Sequence, residues 1–158
     1  MIAAGERAPA FSGTTADGKT LSLEDFRGKK PLILYFYPRD STPGCTKEAC
    51  SFRDHAGEIE SAGGAIVGVS MDSKESHRKF IADHQLNFPL LSDREATICK
   101  AYGVARLGGW FPPKRVTFVV DRDGVVRRVI QSEFGIAKHI DEALDTLREL
   151  AGPRAAPA

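Results

Sequence analysis

Apolar residues change their spacing several times along this chain, and each change marks an element. Residues 31–37 (PLILYFY) and 65–71 (AIVGVSM) are apolar runs with no polar alternation. They predict strands buried on both faces of a sheet that helices cover. Between them, Ala49, Phe52, Ala56 and Ile59 recur at helical spacing, so one helix is expected from Pro43 to the Gly63-Gly64 stop. Strand, helix and strand make a βαβ unit, which requires parallel strands and a right-handed crossover. Further helices are expected over 73–84, capped by Ser73, over 93–102, and over 138–150, where Ile140, Leu144, Leu147 and Leu150 form a stripe. Residues 116–121 and 125–130 are β-branched runs around Asp123-Gly124, a hairpin signal. Residues 10–14 and 19–23 around Asp17-Gly18 predict a peripheral hairpin, followed by one helical turn over 23–27, and 88–91 is a short apolar piece. Residues 103–113 are irregular and hold the one tryptophan, Trp110, beside Phe111 in a segment rich in glycine and proline, where both aromatic side chains could line a pocket but are rather expected to pack on the core. The pattern is that of an α/β protein with a mixed sheet: a single domain over 1–150 and a disordered tail over 151–158.

Composition narrows the function classes. At 158 residues the chain can bury a real core. Its formal net charge of +1 gives no reason to expect nucleic acid or an anionic membrane surface as partner. Apolar runs are too short to span a bilayer, and the first residues carry Glu6 and Arg7 without an apolar h-region, so a cytoplasmic location is expected. Three cysteines, an odd count, do not suggest a secreted disulfide framework.

The chemistry concentrates in residues 38–50, PRDSTPGCTKEAC. Thr42 suits the N-cap of the helix and Pro43 its first position, where a missing N–H costs nothing. Cys45 then lies in the first turn on the same stripe as Ala49 and Phe52, facing inward. Negative charge on a thiol there meets unpaired backbone N–H groups and the positive end of the helix. Ionisation alone is a small effect: a free cysteine is about 3% thiolate at neutral pH, so complete ionisation gains roughly thirtyfold. Catalysis requires more, and therefore a further group that orients substrate and stabilises developing charge.

Pro38, Thr42 and Cys45 in P-x-x-x-T-x-x-C, with Cys50 five residues on, resemble the active site of a peroxiredoxin, of the bacterioferritin-comigratory (Q-type) subgroup, over residues 2–150. The resemblance implies a thioredoxin-like three-layer sandwich, a mixed β-sheet flanked by helices. It implies a thiol peroxidase in which Cys45 attacks a hydroperoxide and becomes a sulfenic acid. Cys50 then condenses with it to an intramolecular disulfide, which thioredoxin, or by another route glutaredoxin, reopens. It makes Arg115, in K-R-V-T-F-V-V, the charge-stabilising partner. Thr42 would hold the peroxide, Pro38 shield it from water, and Gly44 allow close backbone approach. No haem, flavin or metal is implied, and a monomer is expected. Glu48, one turn from Cys45, either orients Arg115 or is a solvated helix charge.

Other readings are weaker. Cys45, Cys50 and His55 spread around one helix and cannot converge on an ion. Cys99 has no motif partner and reads as packing. A dithiol–disulfide oxidoreductase would prefer C-x-x-C to the C-x4-C found here. A non-catalytic redox sensor binding a partner through Trp110 and Phe111 is the remaining rival. In an intact helix, residues five apart have Cα atoms ~8.6 Å apart. A disulfide needs roughly 4.4–6.8 Å, so a Cys45–Cys50 bond requires the helix to unwind.

Overall fold

A computed structural model describes residues 1–155. Seven strands form one sheet in the order β2-β1-β5-β4-β3-β6-β7. The two apolar runs are its centre: β3 (Leu32–Phe36) lies parallel to β4 (Ala65–Ser70), with Leu34 opposite Val67. β5 (Leu90–Ser92) continues the parallel set beside β4. β6 (Val116–Val120) runs antiparallel to β3 on the other side and pairs with β7 (Val126–Gln131) as the expected hairpin. The early hairpin, β1 (Ser12–Thr15) and β2 (Thr20–Ser22), is at the margin but not separate, because β1 pairs with β5 and extends the same sheet.

Alternation along β3 divides the core in two. Ile33, Tyr35 and Tyr37 face a cluster built with α1 (Pro43–Asp54), α2 (Ala56–Ser61), α3 (Lys74–His84) and α5 (Ile136–Ala155). Leu32, Leu34 and Phe36 face a second cluster with Phe11, Leu23 and α4 (Thr97–Ala101). This is the thioredoxin-like mixed sheet with helices on both faces. Cys45, Ala49 and Phe52 carry α1 onto the first cluster, the Phe52 ring lying tilted against that of Tyr35 with centroids 4.7 Å apart. Burying a phenylalanine of this kind contributes on the order of 1.5–3 kcal/mol.

Three expected boundaries move, each for a local reason. The helix from Pro43 does not run unbroken to Gly63: it breaks at His55 (φ −100°, ψ 7°), whose ring Nδ1 lies 2.7 Å from Ser51 O and competes for that carbonyl. The helix expected from Asp93 begins at Thr97, because the chain turns through Ala96 (φ 60°) and the Asp93 carboxylate instead accepts from Ile98 N and Cys99 N. At the other end, α5 continues through Ala155, so residues 151–155 are helical rather than part of a disordered tail; residues 156–158 of that expected tail lie outside the described residues. No helix among the described residues is long and apolar enough to cross a membrane.

Gly68 shows how tightly the sheet is packed beneath the site. A Cβ there would come 2.7 Å from Leu90 Cδ2 and 2.9 Å from Tyr35 Cε1. Gly68→Ala should therefore destabilise the fold by about 1–3 kcal/mol through overpacking, read from the urea midpoint; an unchanged midpoint would refute this account.

Candidate active site

Between β3 and α1 the chain makes a loop, residues 37–42, whose base is tied down by buried polar groups. Tyr37 Oη donates to Asp40 Oδ1 at 2.6 Å, and Ser76 Oγ donates to Asp40 Oδ2 at 2.8 Å. His77 is fully buried: its Nε2 donates to Leu91 O at 3.1 Å and its Nδ1 lies 2.7 Å from Asp40 Oδ2. Asp40 N donates in turn to Asp72 Oδ2 at 2.9 Å. Asp40, Asp72 and His77 thus converge, with facing atoms engaged in hydrogen bonds to one another and to the loop. Sequence reasoning missed this cluster, although His77 sits three residues before Phe80 on the buried face of α3.

α1 opens as expected, with Thr42 at the N-cap and Pro43 first, but the Thr42 side chain does not cap the helix. Its hydroxyl donates to Arg39 O at 2.9 Å. With that proton committed, the Thr42 oxygen offers lone pairs to a donor arriving from outside. Cys45 follows in the first turn, buried, with no acidic residue beside it in that turn.

Arg115 comes to Cys45 from the start of β6. Its Nη2 donates to Cys45 Sγ at 3.3 Å and its Nη1 donates to Glu48 Oε1 at 2.6 Å. Glu133 fixes it from behind: Arg115 Nε donates to Glu133 O at 3.1 Å, and Arg115 N donates to Glu133 Oε2 at 2.9 Å. Gly44 belongs to the same fit, since a Cβ there would lie 3.2 Å from Arg115 Nη2. Its missing side chain admits the guanidinium.

Glu48 is completely buried, so it is not a solvated helix charge. Burial pushes its carboxyl up to about 7, against the opposing pull of Arg115. Burial also works against the Arg115 charge, but Glu48 and Cys45 outweigh it and hold the guanidinium above its ordinary value. Glu48 Oε2 and Tyr35 Oη have no hydrogen-bond partner among the described residues. Oε2 faces His139 Nδ1 at 3.7 Å. His139 donates through Nε2 to Ser132 O and accepts at Nδ1 from Thr117 Oγ1, both at 2.7 Å; burial lowers its pKa. Glu133 and His139 were both missed from the sequence. Glu133 left no signal there, whereas His139 lies on the apolar stripe of α5, three residues after Ile136.

The remaining sequence candidates separate. Pro38 and Cys50 are half-buried, Cys50 further along α1, and the three cysteines are free thiols. Cys99 is buried on α4, where burial and then Asp93 push its thiol far up. Trp110 and Phe111, expected to pack on the core, are instead exposed: the 3-10 turn Leu107–Gly109 carries them outward beside Pro38. A recess of about 520 Å³ between the β1–β2 hairpin and α3 is lined by none of these residues.

A cysteine at a helix N-terminus, held against a buried arginine at the strand ends of a thioredoxin-like sheet, defines a thiol-dependent peroxidase. Residues 4–129 match the AhpC/TSA family. Chloroplastic peroxiredoxin Q of Populus jackii is 46% identical over 147 residues, 92% of this chain and 68% of that one. The crystal structure of peroxidoxin BcpB from Mycobacterium tuberculosis superposes with a TM-score of 0.89 at 39% identity, covering all of both chains. The bacterioferritin comigratory protein of Xanthomonas campestris, studied for its alkyl peroxide reduction activity, superposes with a TM-score of 0.84 at 33% identity, covering 94% of this chain and 99% of that one. This chain belongs to the AhpC/TSA family, among the peroxiredoxin Q proteins.

The raised Glu48 pKa has a definite consequence for stability. Its contribution is fully present below about pH 4.5 and is lost as pH rises through about 7. Across that window the unfolding free energy of the wild type should fall relative to Glu48→Gln by up to about 3 kcal/mol. Parallel stability–pH curves for the two proteins in urea would sink the assignment.

Proposed function

We propose that the chain reduces hydrogen peroxide and organic hydroperoxides with Cys45 as the attacking thiolate. The observation that carries this reading is the Arg115 Nη2 contact at 3.3 Å to Cys45 Sγ at the start of α1. The peroxide binds at the mouth formed by Pro38, Thr42, Gly44 and Arg115. Its O–H donates to the Thr42 oxygen, and Arg115 faces the charge that grows on the oxygens as the O–O bond breaks. The thiolate bonds to the nearer oxygen, giving the sulfenic acid. The other oxygen leaves with the electron pair of the O–O bond and takes a proton to become water or alcohol. Cys50 then attacks the sulfenic sulfur and expels water, giving the Cys45–Cys50 disulfide.

That last step requires α1 to open. Both cysteines lie inside the twelve-residue helix Pro43–Asp54, at a separation of ~8.6 Å between Cα atoms. The break at His55 leaves α1 short, so unwinding need not spread into α2. A thioredoxin-type dithiol restores the thiols, with glutaredoxin an alternative donor. The protein works as a single-domain monomer in the cytoplasm, with no cofactor.

Cys45→Ser should abolish peroxide consumption. Cys50→Ser should react once and then carry a trappable sulfenic acid, seen by intact mass. The wild-type disulfide form should lose amide protection over residues 46–52; wild-type turnover in Cys45→Ser, or equal protection in both redox states, would overturn the scheme. Arg115→Ala should slow the oxidation of Cys45 by on the order of 10²–10³. If raising the pH fully restores the Arg115→Ala rate, Arg115 acts on ionisation alone and has no part in the transition state.

A further inference from the structure

Trp110 and Phe111 are 89% and 52% exposed. The loop that carries them is well tied. Gly109 N donates to Arg106 O at 3.0 Å, Trp110 N donates to Leu107 O at 3.1 Å, and Arg106 and Phe111 pair as a β-bridge. Gly108 and Gly109 take φ of 64° and 97°, and a Cβ on Gly109 would come 3.0 Å from Ala96 Cβ, so the loop is seated against the start of α4. An aromatic side chain presented on a pre-ordered loop loses little further freedom on binding.

Trp110, Phe111 and Pro112 form one wall of a shallow recess of about 270 Å³, with Pro38, Arg39 and Arg94 around it. Both sides are continuous with the thiol site: Pro38 and Arg39 lead to Thr42 and Cys45, and Pro112 leads to Arg115. The rim is cationic. Among the described residues, no carboxylate lies within ion-pair distance of Arg39 or Arg94. Asp72, which also borders the recess, has Oδ2 turned inward to accept from Asp40 N and Ser70 Oγ.

We propose that this surface docks the dithiol reductant: a protein presenting an apolar, acid-rimmed face around its own thiols. The proposal rests on the thiol-peroxidase reading above. Exposed tryptophan with flanking arginines is the composition of a binding hot spot. A small ligand fits poorly, because Trp110 projects into water while ligand pockets are concave and enclose most of the ligand. A second copy of this chain would set Arg39 and Arg94 against like charges. Docked here, a reductant thiolate attacks one sulfur of the Cys45–Cys50 disulfide, and the other sulfur leaves as a thiolate. The second reductant thiol then closes the reductant's own disulfide and frees the remaining sulfur. Two electrons and two protons pass from the reductant to this protein.

The test compares turnover of hydrogen peroxide supported by thioredoxin and its reductase with turnover supported by dithiothreitol, in wild type, the double variant Trp110→Ala/Phe111→Ala, and Arg39→Glu/Arg94→Glu. The aromatic variant should lose at least about tenfold in kcat/KM for thioredoxin, while its dithiothreitol-supported rate stays within about twofold of wild type. The charge-reversed variant should lose thioredoxin-supported turnover at low salt, and added salt should narrow the gap to wild type. Unchanged thioredoxin kinetics in both variants would overturn the docking site, as would an equal loss with dithiothreitol. So would a wild-type dimer by sedimentation that the aromatic variant converts to monomer, since the patch would then hold a second copy. A wild type inactive with both reductants would instead sink the peroxidase reading, and the docking site with it.

Discussion

One guanidinium facing two buried acids is the interaction on which the site depends. Arg115 reaches Cys45 with one nitrogen and Glu48 with another, and all three side chains are buried. If both acids were ionised, a single cation would face two anions at low dielectric, and Glu48 Oε2 would have no donor. Arg115 is thus the one side-chain cation that both Cys45 and Glu48 touch among the described residues. Holding Arg115 in that position takes several elements at once. The start of β6 supplies its backbone, the loop after β7 supplies both Glu133 contacts, and Gly44 leaves the space its Nη2 occupies. A shift of any of them by an ångström would break contacts of 2.6 to 3.3 Å.

In the proposed cycle the helix bearing Cys45 holds the thiol in place and then lets it go. Ala49 and Phe52 are fully buried and fix the face of α1, yet α1 stops after twelve residues at His55. The loop before it has a different anchorage. Asp40 is held by Tyr37, Ser76 and His77, none of which belongs to α1. In the proposed opening of α1, loss of its hydrogen bonds would leave those contacts intact, so Pro38 would stay in position while the cysteine-bearing turns rearranged. Buried polar networks rigidify when fully satisfied, and this one lies at the base of the loop before α1.

The legible part of the fold was the part with a long-range pattern. Residues 31–37 and 65–71 are hydrophobic enough to identify the parallel centre, and Asp123-Gly124 marks the terminal hairpin. Helix boundaries were less legible because single side chains set them: the His55 ring ended α1, and the Asp93 carboxylate delayed α4. At the site, helix-start signals placed Thr42 at the N-cap and Cys45 in the first turn, as found, whereas the resemblance was needed to bring in Pro38 and Arg115, the latter distant in sequence. Glu133 uses a backbone carbonyl as well as its side chain, and the sequence has no marker for that. The Trp110 expectation failed because a tryptophan in a glycine-rich loop is ambiguous until Gly108 and Gly109 are seen turning it outward.

Cys99 shows what the site adds to a bare cysteine. It occupies the third residue of α4, as Cys45 occupies the third residue of α1, and both are buried. At α4 the Asp93 carboxylate accepts from the Ile98 and Cys99 amides, so burial first, and then the negative charge already present where a thiolate would form, push the thiol far up. At α1 the first turn has no acid, the Thr42 hydroxyl turns back to Arg39 O, and a guanidinium meets the sulfur. Helix position and burial are the same in the two cases. What separates the two cysteines is the sign of the charge brought to the helix N-terminus, carboxylate at Cys99 and guanidinium at Cys45, and the nucleophile role proposed for Cys45 follows that sign.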